Sequence, residues 1–185
     1  MVWARTKLTI WDDLFPPTKK IYFTYVGKEP EKLYPKFTEL LHTVFSVGDE
    51  FIQERTYNWQ KKSNGSKFKV EWYVEKPFDR YTLLNVDISM KGESENGYGK
   101  VEIKMEPRLV TEYPQDYLWQ QSLIYEIFRQ VWHKLFYNKK RQVWMDESKE
   151  LCFRLYNELK HYADMLNAGS SAEGGKEGEA ANGKD

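Results

Sequence analysis

The residues best suited to do chemistry are few and scattered. The chain has three histidines, His42, His133 and His161, and one cysteine, Cys152. No histidine has a second His or Cys at ligand spacing, so no metal site is expected. Cys152 lies on an apolar helical seam with nothing beside it to lower its pKa, which predicts an inert packed thiol. Asp12–Asp13 is a carboxylate pair ahead of Leu14-Phe15-Pro16-Pro17, but with no partner elsewhere it is best read as a solvated turn. Gly92–Gly99 holds three glycines without opening a helix, so it cannot cradle phosphate as a P-loop does. GxGxxG and GxSxG are absent too. We therefore expect no catalytic residues and no cofactor, and a binding protein sooner than an enzyme.

Two clusters mix cations with aromatics. Trp59, Lys61, Lys62, Lys67 and Lys69 surround one turn, and Lys139, Lys140 and Arg141 precede Trp144. Such groups can meet phosphates and stack bases. The plainer alternative is a solvated turn and a helix end whose carbonyls favour cations, because Glu54, Glu71 and Glu75 share the same strands.

Net charge does not favour nucleic acid. Across 185 residues, 28 basic side chains balance 28 acidic ones. The stretch Ala168–Asp185 has two basic and four acidic residues, leaving 26 against 24 upstream. It has no aromatic or large aliphatic residue, which predicts a disordered tail after a single domain over residues 1–167. One cysteine excludes an intrachain disulfide. The opening residues lack the apolar core of a secretion signal, and no apolar run approaches ~20 residues, so a soluble, cytoplasmic chain is expected. The aromatic load is high, with 7 Trp, 13 Tyr and 10 Phe. It calls for large contact areas inside the protein and on an interaction surface.

The elements that must position these residues follow from periodicity. Lys7–Trp11 suits a short edge strand, and Lys20–Val26 a firm one ending at Gly27. Leu33, Phe37, Leu40, Leu41 and Val44 mark a helix within Pro30–Phe45, in which Pro35 either kinks the helix or marks its start. Phe51–Lys61 and Lys67–Glu75 predict a hairpin turning at Asn64-Gly65. Phe68, Val70, Trp72 and Val74 alternate with mostly charged neighbours, the pattern of a sheet with one wet face. Tyr81–Lys91 and Lys100–Glu106 alternate likewise, with a loop at Gly92–Gly99 between them. Pro107 predicts a bend, after which Leu109–Tyr113 continues as an edge strand.

Tyr117–Tyr137 is the strongest helical pattern, with Asp116 as its candidate cap. Leu123, Ile124, Ile127, Phe128, Val131, Trp132, Leu135 and Phe136 form one apolar face, which suits it to cover the sheet. Asn138–Trp144 predicts a break, and Cys152, Leu155, Leu159, Tyr162 and Leu166 the seam of a second helix over about 146–166.

The expected fold class is α+β: a curved antiparallel sheet of five or six strands with an early helix and two long C-terminal helices. Over residues 20–137 this order resembles the helix-grip fold of the START-like (SRPBCC) superfamily. That resemblance implies a long helix lying across the sheet and an apolar ligand in the gap between them. The candidate lining is Trp72, Val86, Ile88, Ile103, Ile124, Phe128 and Trp132, which equally suits a filled core. The expected function is non-enzymatic binding of an apolar small molecule or a protein partner, through that gap or through exposed aromatics. The alternative is a nucleic-acid- or ribonucleoprotein-associated accessory role for the two basic clusters. The second long helix also suggests a homodimer; no membrane span is expected.

Overall fold

The computed structural model describes residues 7–114, 117, 120 and 122–173. The strands are β1 (Lys7–Asp13), β2 (Ile21–Lys28), β3 (Ile52–Lys62), β4 (Gly65–Pro77), β5 (Thr82–Glu95) and β6 (Tyr98–Pro114). The helices are α1 (Leu33–Phe45), α2 (Leu123–Trp132) and α3 (Asn138–Glu173). The protein is therefore α+β, as expected, with an open six-stranded antiparallel sheet where a curved one was expected. β3, β4, β5 and β6 form a meander, and β1 and β2 share the far side of β6.

Alternation along the strands sets the layers. Val70, Trp72, Val74, Val86, Ile88, Met90, Val101, Ile103 and Met105 are buried on one face. Lys69, Asp87 and Lys104 ride on the other, in ion pairs with Glu71, Arg55 and Glu106. α1 and α3 cover the inner face. α1 buries Leu33, Phe37, Leu40, Leu41, Val44 and Phe45, and α3 buries Trp144, Cys152, Leu155, Leu159 and Ala163. Pro35 sits in the first turn of α1, where backbone N–H groups have no helical partner, so it neither kinks nor breaks the helix.

Leu109–Tyr113 is not at an edge. It lies between β5, where Leu84 faces Leu109, and β1, where Leu8 faces Tyr113. Pro107 falls where the neighbour of β6 changes from β2, last paired at Met105, to β1, first paired at Arg108. Its missing N–H therefore costs no ladder bond on that side.

Two turns differ from the sequence pattern. Lys62 pairs with Gly65, so the β3–β4 turn is Ser63-Asn64, and neither residue is left-handed. Gly65 serves close packing instead: a Cβ there would stand 1.9 Å from the Ser94 carbonyl oxygen. The left-handed Asn-Gly turn is at Asn96 (φ 51°) and Gly97 (φ 77°), between paired Glu95 and Tyr98. Gly92–Gly99 is thus a tight hairpin and not a loop.

The largest difference concerns the C-terminal helices. Asn138–Trp144 is no break, because α2 passes through a π-helical turn at His133–Tyr137 directly into α3. The sheet is covered by α3 and not by α2. α3 runs on to Glu173, into the stretch expected to be a tail; Gly174–Asp185 lies outside the described residues. So does Asp116, and the cap of α2 is Ser122, whose Oγ accepts from the Tyr125 N–H at 3.3 Å.

Candidate functional site

The buried side of the C-terminal rod is one continuous line. Arg129, Tyr137, Arg141, Trp144, Ser148, Cys152, Leu155, Leu159 and Ala163 are all buried, at steps of three or four residues with the half-buried His133 filling the one wider gap. Its N-terminal part is polar because the sheet end beneath it is polar. Arg141 Nε donates to Thr111 Oγ1 at 2.9 Å, and Thr111 and Thr82 hydroxyls meet at 2.8 Å. Thr82 also meets the Tyr137 hydroxyl at 2.7 Å, and Tyr137 donates to the Asp79 carboxylate at 3.1 Å. Since Arg141 can only donate and ionised Asp79 can only accept, the hydroxyls between them must all point the same way, toward Asp79. Asp12 closes the far end as the ion-pair partner of Arg141.

One turn earlier, the Tyr113 hydroxyl meets His133 Nδ1 at 2.8 Å, and the Arg129 guanidinium lies 5.4 Å from the Tyr113 ring centre. Burial raises the Tyr113 hydroxyl to about 12. Burial, with Arg141 and Arg129 nearby, holds His133 below its ordinary value. Arg129 pairs with Glu126, so both charges of α2's first turns face inward. The buried Nε of Arg129 has no partner among the described residues.

With the polar side of α2 turned to the sheet, its apolar side faces solvent. Leu123, Ile124, Ile127, Phe128, Val131, Trp132, Leu135 and Phe136 are 48–77% exposed. At 100° per residue the six of them inside α2, from Leu123 to Trp132, fill an arc of roughly 180°. Side chains of this size offer roughly 150–250 Å² each, so the face presents on the order of 1,000 Å². That exceeds the few hundred Å² usual for an apolar patch on a monomer.

The cavity candidates thus separate. Trp72, Val86, Ile88 and Ile103 lie in the filled core, with Trp72 stacked on Tyr34 at 5.7 Å and tilted against Phe37 at 5.3 Å. Ile124, Phe128 and Trp132 are on the outward face of α2 and do not join them. The reason is that the rod's buried line passes through Arg129 and Tyr137, on the opposite side of the helix.

The basic residues separate as well. Trp59 stacks on Phe68 at 4.4 Å, while Lys67 and Lys69 pair with Glu93 and Glu71 at 3.7 and 2.7 Å. Lys67 and Lys69 line a groove of about 540 Å³ on the outer sheet face, together with Asn58, Gln60, Glu93 and Glu102. Lys61 and Lys62 are exposed on the last two positions of β3. Arg141 is buried in the polar line, whereas Lys139 is exposed and Lys140 sits 4.7 Å over the Trp144 ring. Cys152 is 1% exposed, and burial raises its thiol to about 12. His42 Nδ1 lies 3.3 Å from the Val47 carbonyl, and Asp13 pairs with Lys19 at 2.8 Å. Among the described residues no cluster of His, Cys, Asp and Glu could hold a metal, and no helix is long and apolar enough to cross a membrane.

No family model matches the chain, and no curated protein does. Among solved structures, a protein of unknown function from Staphylococcus aureus aligns over 87% of this chain and 96% of its own. Its identity is 12% and its TM-score 0.29.

Proposed function

We propose that this protein is a non-enzymatic binding module whose contact surface is the outward apolar face of α2. The observation that carries this reading is the orientation of the helix. A chain free to bury those eight side chains instead packs Arg129, His133 and Tyr137 against the sheet. Exposing that much apolar surface in a monomer opposes solubility, so its retention fits a helix that docks on something else. A ligand held between sheet and helix has less support, because the inner-face residues are buried against α1 and α3.

The test is a full-length variant carrying Ile127→Ser, Phe128→Ser and Val131→Ser. Native wild-type protein is expected to enhance the fluorescence of anilinonaphthalene sulfonate, and the variant to lose most of that signal with its unfolding midpoint nearly unchanged. A midpoint lowered by about 10 °C or more would mean that the face is packed within the fold, and unchanged dye binding would place the apolar surface elsewhere. Either result overturns the reading.

A further inference from the structure

We infer that the surface on which α2 docks is an anionic lipid interface, in which the helix lies parallel to the membrane plane; this rests on the binding role proposed for α2. Charge distribution carries the inference. Among the described residues of α2 and the π-helical turn, the one acidic side chain, Glu126, is turned inward onto Arg129. Lys134 lies in projection at one border of the apolar arc, and Lys139 and Lys140 follow just past its C-terminal end; all three are exposed. Lys134 and Lys139 have no acidic partner among the described residues, and Lys140 has only a 3.6 Å contact to Asp79. The outward half of the element is thus apolar with a cationic margin. That is the charge pattern of a helix lying in the headgroup region of an anionic bilayer.

The shape of the face agrees. A two-helix seam uses a narrow stripe, whereas this apolar arc is about half the helix circumference, matching a cylinder sunk to its midline. Trp132 stands at the arc's other border, with Phe128 and Phe136 beside it at adjacent turns. Aromatic side chains there suit the boundary between headgroups and acyl chains. A second copy of the chain would meet the same cationic margin with its own Lys134 and Lys139, which is repulsive, whereas anionic headgroups complement it.

The experiment is co-sedimentation of the full chain with vesicles of phosphatidylglycerol and phosphatidylcholine, against vesicles of phosphatidylcholine alone. Three proteins are compared: wild type, the Ile127→Ser/Phe128→Ser/Val131→Ser variant, and Lys134→Glu/Lys139→Glu. We expect wild type to partition at least tenfold more strongly to the anionic vesicles. The apolar variant should lose at least tenfold of that partitioning, and the charge variant should lose the preference for anionic lipid. Absence of wild-type binding, or equal binding by the apolar variant, overturns the lipid assignment. Sedimentation equilibrium on the same proteins separates this failure from failure of the binding role. If wild type ignores vesicles but self-associates in a way the apolar variant abolishes, α2 docks on a second copy and only the lipid inference falls. If the apolar variant matches wild type in vesicle binding, self-association and dye binding, both readings fall.

Discussion

Two of the leucines of the C-terminal rod, Leu155 and Leu135, should respond very unequally to the same substitution. Leu155, on α3, is 0% exposed within the core, whereas Leu135, in the π-helical turn, is 58% exposed. Leu155→Ala removes buried methyl groups and leaves a cavity, a change that costs about 3–5 kcal/mol where the surroundings cannot collapse. For a chain of this size each kcal/mol shifts the unfolding midpoint by about 2–4 °C. The expected loss is therefore about 6–20 °C. Leu135→Ala removes surface already in water, so its effect should stay within about 0.5 kcal/mol, or about 2 °C. Thermal unfolding followed by far-ultraviolet circular dichroism measures both. Equal losses at the two positions would refute the orientation of α2, and with it the outward apolar face.

Three other outcomes follow from the buried line. Cys152 should resist an aromatic disulfide reagent in native buffer and react within seconds in guanidinium, because burial both hides the thiol and disfavours its thiolate; ready native reaction would mean that α3 does not seal the core. His133 is held below its ordinary value of about 6.5 by burial first, then by Arg141 and Arg129, with Asp12 opposing and Tyr113 as its hydrogen-bond partner. The folded state therefore binds the proton less well than the unfolded one. Stability is full above about pH 6.5 and falls as the pH drops toward the lowered folded value. His133→Gln should flatten that part of the profile, and an unaltered slope would assign it to other groups. Tyr137→Phe removes the hydroxyl linking Thr82 to Asp79 and should cost about 1–3 kcal/mol, read as a lower denaturant midpoint with unchanged slope; no change would mean that water replaces the hydroxyl.

Much of this fold was legible from alternation and spacing alone. Val70, Trp72 and Val74 announce a sheet with one dry face, and Phe37, Leu40 and Leu41 the helix that covers it. What spacing cannot say is which surface a helical stripe meets. Leu123–Phe136 carries the widest apolar face in the chain, and such a face normally turns inward. The deciding clue was the fainter line Arg129, His133, Tyr137, Arg141, Trp144, Ser148, whose steps continue without interruption into Cys152, Leu155 and Leu159. A seam must stay in phase along one rod, so the buried side of α3 fixes the buried side of α2. The phase carries across only because the helix is unbroken at Asn138–Trp144, and the polar run Asn138-Lys139-Lys140 holds no apolar residue to signal that continuity. The Asn-Gly pairs show the same limit. Asn64-Gly65 reads as the hairpin turn and Asn96-Gly97 as part of a loop, yet the left-handed turn is at Asn96-Gly97, because Gly65 is committed to the close approach of Ser94.

The π-helical turn at His133–Tyr137 works as a phase offset between two codes written on one rod. From Arg129 to Arg141 the buried line advances by fours, which at 3.6 residues per turn would carry it steadily around the helix. One surplus residue wound into the wide turn cancels that drift and keeps both halves pointing at the sheet. The same residue fixes which side of α2 meets water. Removing it would rotate everything upstream by about 100° relative to α3, carrying part of the Phe128–Trp132 border toward the sheet and swinging Arg129 away from Tyr113. How much of the apolar face of α2 meets water is thus set by a single residue of chain length in the turn, with no change in composition.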